Sequence, residues 1–356
     1  MDPTARLTGA LEGLPEPISG LLLAPPGAHW EVRVAGGECR VGLSLGWPGA
    51  GSAAALRARV ETVVVAQGLA LADFRVGSRI AAHAVQPGLS PLPRVRNVIA
   101  VGSGKGGVGK STTAVNLALA LQRLGARVGI LDADVYGPSV PAMLGLSGRP
   151  ESPDDKSIEP LRAFGVEAMS IGLLVDQDTP MIWRGPMATS ALTQLFADTR
   201  WGDLDYLLVD LPPGTGDIQL TLAQKIPVAG AVIVTTPQEI ATLDARKALK
   251  MFGKVNVPVL GIVENMAVHV CGNCGHAEHL FGQGGGEAMA RQYGVPLLGS
   301  LPLDLSIREQ GDAGAPVVAA APDSAPAQAY LAAAQAMAAH LAARPRAAIP
   351  IASSLA

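Results

Sequence analysis

The chain predicts an α/β fold: a doubly wound, mainly parallel sheet carrying a phosphate-binding loop, preceded by a small α/β domain. Two observations lead there. Residues 104–111 read Gly-Lys-Gly-Gly-Val-Gly-Lys-Ser, the P-loop frame Gly-x4-Gly-Lys-Ser, in which successive backbone N–H groups cradle phosphates. From Val95 onward, short runs rich in Val, Ile and Leu alternate with segments long enough for right-handed crossover helices. The runs are Val98–Gly102, Val128–Asp132, Tyr206–Asp210, Ala231–Thr235, Val259–Val263 and Leu297–Leu301. Near-continuous apolarity of this length suits parallel strands buried on both faces, with ligand at their carboxyl ends.

Residues 1–90 read as a separate small α/β domain. Trp30–Val34 and Cys39–Leu45 form strands around the turn Ala35-Gly36-Gly37-Glu38. Ala53–Gln67 carries helical spacing, with Leu56, Val60, Val63 and Val64 apolar, and Phe74–Val76 is a further strand. At Gln86–Pro93, Pro87, Pro91 and Pro93 favour an extended spacer. The P-loop domain occupies residues 91–344 and closes on an Ala-rich helix at Tyr330–Ala343, leaving 345–356 as a flexible tail.

Composition limits the partners. With 49% hydrophobic and 16% charged residues the chain has ample core, and with 4% aromatics that core is aliphatic. A net charge of −3 argues against a general nucleic-acid binder. No apolar run reaches membrane-spanning length, and the start MDPTARLTGALEG lacks a signal-peptide layout. Three cysteines make no disulfide framework. The expectation is a cytoplasmic protein with no nucleic-acid or membrane partner.

The phosphate loop lies between the apolar strand Asn97–Gly102 and a helix over Thr112–Leu124, whose positive end faces the anion. ATP is expected to contact Gly104, Lys105, Gly106, Gly107, Val108, Gly109, Lys110, Ser111 and Thr112. Lys110 reaches the β- and γ-phosphates and the Ser111 hydroxyl binds Mg²⁺. Leu207-Leu208-Val209-Asp210 is an apolar strand closing on a carboxylate, which places Asp210 in the Mg²⁺ shell through water. The Gly/Pro-rich loop Leu211–Asp217 follows, suited to moving with the γ-phosphate.

Lys105 narrows the class. The pattern Lys-Gly-Gly-x-Gly-Lys-Ser resembles the deviant Walker A loop of the nitrogenase-iron-protein, MinD and ParA class. The resemblance implies that Lys105 reaches across a nucleotide-sandwich dimer to the partner's phosphates. It also implies that Asp134, in Asp132-Ala133-Asp134, orients the attacking water while Asp132 supports the magnesium site. Asn265, after the strand Val259–Val263, is implied as the adenine contact. The catalytic set is then Lys105, Lys110, Asp134 and Asp210.

Cys271-Gly272-Asn273-Cys274 supplies two thiolates through a tight turn, half of a four-thiolate site. Three readings are open. Two subunits give a pair each, His276 and His279 close a Cys₂His₂ zinc site, or the pair is a redox dithiol. Further motifs occur in one order: Asp132–Ser139, Trp183-Arg184-Gly185-Pro186-Met187, Asp210–Asp217, Thr235-Thr236-Pro237-Gln238 and Cys271-x2-Cys274. With the phosphate loop they resemble the Mrp/ApbC family of iron–sulfur cluster carrier ATPases over about residues 95–312. That resemblance implies a homodimer with ATP, Mg²⁺ and a transferable [4Fe–4S] cluster bridged by Cys271 and Cys274 of two subunits. Its implied partners are a cluster-assembly scaffold and apo iron–sulfur proteins, with ATP hydrolysis slow and coupled to loading or transfer.

Bacterial members of that family often carry an N-terminal α/β domain with a cysteine in the loop before its main helix. Here the loop Gly46–Ser52 has none, so the resemblance implies a degenerate copy, and Cys39 reads as a small buried hydrophobe. Two other functions compete: a MinD/ParA-like positioning or partitioning ATPase, and a zinc-stabilised ATP-dependent scaffold. The first predicts a membrane-active or DNA-binding tail, and Ala332–Ala343 has no Lys or Arg to supply a charged face.

Overall fold

The computed structural model describes residues 2–174 and 185–347. Trp183 and Arg184 of the expected motif, and the tail beyond Ala347, lie outside the described residues. The N-terminal unit contains α1 (Pro3–Glu12), β1 (Ala28–Ala35), β2 (Glu38–Leu45), α2 (Ala53–Ala66) and β3 (Ala70–Ser78). β1 and β2 form an antiparallel hairpin, and β3 lies parallel to β2. The helix α1 was not foreseen from sequence; Asp2 caps it, accepting from the Thr4 N–H, and Pro3 occupies its first turn.

A second, larger sheet follows. Its strands are β4 (Val98–Ser103), β5 (Val128–Asp132), β6 (Leu161–Ala163), β7 (Val166–Ser170), β8 (Tyr206–Asp210), β9 (Gly230–Thr235), β10 (Val259–Val270), β11 (Ala277–Glu278) and β12 (Leu297–Leu303). The order runs β6-β7-β5-β8-β4-β9-β10, with β12 parallel to β10 and β11 pairing with its distal end. All pairings are parallel except β6–β7 and β10–β11. The chain crosses from β4 to β5 on one side and reaches β9 on the other, so the end of β4 sits at a topological switch point. Helices fill the crossovers: α3 (Lys110–Arg123), α4 (Val140–Met143), α5 (Gly185–Asp198), α6 (Asp217–Lys225), α7 (Glu239–Lys254), α8 (Gly285–Tyr293), α9 (Leu305–Asp312), α10 (Val317–Ala320) and α11 (Ala325–Ala342). Among the described residues no helix is long and apolar enough to cross a membrane.

The strand period of two divides the sheet's side chains between two cores. Val98, Ala100, Leu207, Val209 and Ile233 face Leu192, Phe196, Leu222 and Phe252 of α5, α6 and α7. Ile99, Val101, Leu208, Val232 and Val234 face α3 and the Ala-rich α11. The second core does not stop at α11. Leu43, Leu45, Trp47 and Leu56 of the N-terminal unit belong to the same cluster, so α11 lies between two sheets. Small residues permit that approach: a Cβ on Gly46 would stand 2.9 Å from the Gly27 carbonyl oxygen and 3.0 Å from Ala342 Cβ. A polar clamp fixes the same seam. Buried Glu16 accepts from Ser52 Oγ at 3.1 Å and from Gln335 Nε2 of α11 at 2.9 Å.

The expected spacer is anchored as well. Buried Gln86 donates through Nε2 to the carbonyls of Ala223 and Ile226, at 2.7 and 3.1 Å, and accepts the Val228 N–H at 2.8 Å. Each of the six strands expected from sequence is present, while β6 and β7 were not foreseen. β10 continues seven residues beyond its expected end at Val263, through a register shift against β12 between Glu264 and Val268.

Candidate functional site

The phosphate loop takes its shape from three glycines. Gly107 and Gly109 adopt φ of +80° and +78°, the left-handed region that β-carbon sterics disfavour. Gly104 packs against another backbone: a Cβ there would lie 2.0 Å from the carbonyl carbon of Asp244 in α7. The loop turns directly into α3, with Gly109 at the cap and Lys110 first in the helix. Ser103 Oγ donates to the Lys105 carbonyl at 2.9 Å, and Asn265 Nδ2 donates to the Val108 carbonyl at 2.9 Å. The resulting cleft, about 450 Å³, is lined by Lys105, Lys110, Ser111, Thr112, Asp134 and Pro213 among others. Lys105 is exposed at its rim, while Lys110 is buried.

Three carboxylates stand at the strand ends behind the loop. Lys110 Nζ lies 2.6 Å from Asp210 Oδ1, 3.1 Å from Ser111 Oγ and 3.8 Å from Asp134 Oδ2. Lys110, expected on phosphates, thus rests here on the buried Asp210. Burial pushes the Asp210 carboxyl pKa up, and the Lys110 charge opposes that rise. Asp132 faces Asp210 across the β5–β8 register and is fully buried too. Burial first, then the Asp210 charge, push the Asp132 pKa up to about 7. Asp132 Oδ1 accepts the Asp134 N–H at 3.1 Å, and Oδ2 accepts the Val140 N–H at 3.2 Å and Ser170 Oγ–H at 3.1 Å. Both oxygens are committed to the 133–140 loop and β7, so this carboxylate shapes the loop that carries Asp134.

The donor set fits a hard divalent cation. Asp210 Oδ2 is buried and has no hydrogen-bond partner among the described residues, and the Ser111 hydroxyl is the next oxygen beside the shared Lys110 ammonium. Oxygen ligands of this kind suit Mg²⁺.

A second cleft of about 340 Å³ adjoins the first, and the two share Gly109, Thr112, Met143, Gly311 and Asp312. Its walls are mainly apolar: Met143, Met266, Pro302, Leu303 and Ile307, with Asn265 among them. A flat heterocycle attached to phosphates on the loop fits that arrangement. Asn265 lines this cleft, with its amide nitrogen engaged on the phosphate loop. The β12–α9 side of the cleft, Pro302 to Asp312, was missed from sequence. The signal was available: Leu297–Leu301 was read as a strand, and ligands bind beyond strand ends.

β10 leaves the sheet and carries the thiol pair at the tip of a hairpin with β11. Its ends close through Cys271 N–H to the His276 carbonyl and Gly275 N–H to the Cys271 carbonyl, both 2.9 Å. Backbone N–H groups of Cys274 and Asn273 stabilise the Cys271 thiolate and lower its pKa. Cys274 is exposed. His279 turns away, its Nδ1 lying 2.7 Å from the Ala267 carbonyl. Among the described residues no three His, Cys, Asp or Glu side chains converge on one point. Cys39 is buried in β2 beside Leu7, Leu11 and Val60.

Comparison with known proteins adds to this geometry. The model of a family described as NUBPL iron-transfer P-loop NTPase matches residues 94–338. The chain is 62% identical over 259 residues to an iron–sulfur cluster carrier protein of Pseudomonas fragi, covering 72% of this chain and 90% of that one. A carrier protein of Haemophilus influenzae is 62% identical over 238 residues, but the match spans only 64% of its length. The mouse iron–sulfur cluster transfer protein NUBPL is 53% identical over 247 residues, 69% of this chain and 77% of that one. Among solved structures, a nucleotide-binding protein of Archaeoglobus fulgidus in complex with ADP superposes with a TM-score of 0.56 and 41% identity, over 62% of this chain and 87% of that one. The cell-division ATPase MinD of Pyrococcus furiosus, at TM-score 0.51 and 24% identity over 68% of this chain and 98% of that one, shares the fold.

Proposed function

Because the chain belongs to the NUBPL iron-transfer P-loop NTPase family, we propose that it hydrolyses ATP as a homodimer and carries a [4Fe–4S] cluster for delivery to apo-proteins. The observation that carries this reading is the Cys271/Cys274 pair, presented at a hairpin tip with no third ligand gathered around it among the described residues. A four-iron cluster takes four thiolates, and a second copy of the same hairpin supplies the missing two. A lowered Cys271 pKa favours the thiolate that ligates iron. The cargo would come from an assembly scaffold and leave to a client that offers a better ligand set.

In the nucleotide cycle, Lys110 exchanges its Asp210 contact for the β- and γ-phosphates. Mg²⁺, held by Ser111 and by Asp210 through water, would neutralise phosphate charge as the terminal bond breaks. Asp134 lines the phosphate cleft and orients the attacking water, while Asp132 keeps its loop in place. Exposed Lys105 reaches to the partner's nucleotide, and Asn265 reads the base edge. The adjoining clefts and the Lys110–Asp210–Asp134 cluster support these assignments.

Anaerobic reconstitution followed by iron counting and Mössbauer spectroscopy tests the carrier role. About two irons per chain are expected for a cluster shared by two subunits. Cys271→Ala and Cys274→Ala should each abolish stable loading and leave ATP binding intact; Cys39→Ala should load normally. Stoichiometric zinc without cluster uptake, or full loading of the double Cys271→Ala/Cys274→Ala variant, would sink the proposal.

A further inference from the structure

The thiol hairpin is attached at its base by two histidines, and each holds a carbonyl belonging to a wall of the apolar cleft or to its immediate neighbour. On the outgoing arm His269 Nδ1 lies 3.1 Å from the carbonyl of Leu303, a wall residue on β12. On the returning arm His279 Nδ1 lies 2.7 Å from the carbonyl of Ala267, the neighbour of wall residue Met266. A carbonyl only accepts, so both imidazoles carry hydrogen on Nδ1. The cleft walls are themselves unusual here. Met266 has φ of +56°, uncommon for a residue with a side chain, and it sits in the register shift between Glu264 and Val268. Its neighbour Asn265 holds the phosphate loop through the Val108 carbonyl. A Cβ on Gly109 would stand 2.2 Å from Asn265 Nδ2 and 3.7 Å from Met266 Cε, so loop and bulge are in direct packing contact.

We propose that His269 and His279 are positioning residues that make the geometry of the Cys271/Cys274 pair depend on nucleotide in the adjoining cleft. A base entering the cleft presses on Met266 and Leu303. Those backbone segments are the ones the two imidazoles grip, and they act together with the short β10–β11 ladder to hold the hairpin. Displacement of the bulge therefore reorients the pair of thiols, six and nine residues beyond Asn265. The coupling is reciprocal: whatever fixes the thiols also biases the cleft. The inference rests on the nucleotide and thiol sites of the proposed function, but its test uses no cluster.

The test is thiol alkylation of the reduced, full-length apo-protein by iodoacetamide, resolved by site with mass spectrometry, with and without saturating Mg–ADP. In the unmodified chain the rate at Cys271 and Cys274 should change about threefold or more on adding nucleotide, with buried Cys39 as internal control. In His269→Ala/His279→Ala that ratio should fall to about one while a fluorescent nucleotide still binds. Replacing both histidines by Asn, whose amide nitrogen stands in for Nδ1, should restore it. His279 is exposed, so His279→Ala alone provides a version with little risk to folding and should reduce the ratio at least partway. A wild-type ratio of one, or a double variant with an unchanged ratio, overturns the proposal. Because no iron is present, neither result depends on whether the pair carries a cluster.

Discussion

Asp132 and Asp210 stand side by side on neighbouring strands, and Lys110 is in direct contact with Asp210. That asymmetry has a measurable consequence. The folded chain raises the Asp132 pKa to about 7 from its ordinary value near 3.8, so the folded state holds a proton that the unfolded chain has released. A raised pKa contributes stability that is complete below the unfolded value and is lost as pH rises through the folded one, between about pH 4 and 7. Asp132→Asn cannot ionise, so its melting temperature relative to wild type should improve as pH rises from 5 to 8. The swing should be on the order of 3 kcal/mol, whatever fixed penalty the amide incurs against the loop N–H groups. A pH-independent difference between the two apo-proteins would refute this. Asp134 acts on the reaction rather than on the fold. Asp134→Asn should bind ATP near wild-type affinity but release phosphate about 10²-fold more slowly, measured in single-turnover assays. The residues of the phosphate loop were legible because one contiguous segment performs the whole cradle. The apolar cleft was not, since its walls come from Met143, Met266, Leu303 and Ile307, which meet only in the folded chain.

At the level of elements, the phosphate loop is shaped as much by α7 behind it as by its own glycines. Gly104→Ala would place a methyl 2.0 Å from the Asp244 carbonyl carbon, and a helix backbone cannot yield as a side chain does. Loop or helix must shift, costing about 1–3 kcal/mol and displacing the N–H groups that face phosphate. Nucleotide affinity measured by titration calorimetry should fall well over tenfold, whereas Gly106→Ala, whose Cβ would meet only Pro213 atoms at 3.9–4.0 Å, should fold normally. The strands that were foreseen are continuous apolar runs. β7 escaped notice because Val-Glu-Ala-Met-Ser mixes polar and apolar residues over five positions, yet its Ser170 holds Asp132. The extension of β10 escaped for another reason: Glu264-Asn265-Met266 reads as a strand end, and only pairing with β12 and β11 across the bulge carries the strand onward.

Over the whole molecule, the two sheets share α11. Trp47 is 1% exposed, and a Cβ on Gly27 would approach its ring to 3.2 Å, so the indole fills the seam closely. Trp47→Ala should cost about 3–5 kcal/mol of stability by urea denaturation, felt in one transition that also unfolds the nucleotide site. Two separate transitions, with only the first affected, would show that the units unfold independently. The sequence displayed the two units and the proline-rich stretch between them, but not that Gln86 and Glu16 pin one to the other, because such bonds join residues far apart in the chain. A unit that serves as the far wall of its neighbour contributes volume and shape rather than reactivity. Leu43, Leu45 and Trp47 fill that wall, and Gly46 and Ser52 on either side of the turn are held by the same seam. Anyone excising the nucleotide machinery for grafting elsewhere would inherit one bare flank of an alanine helix, and would have to design a new cover for it.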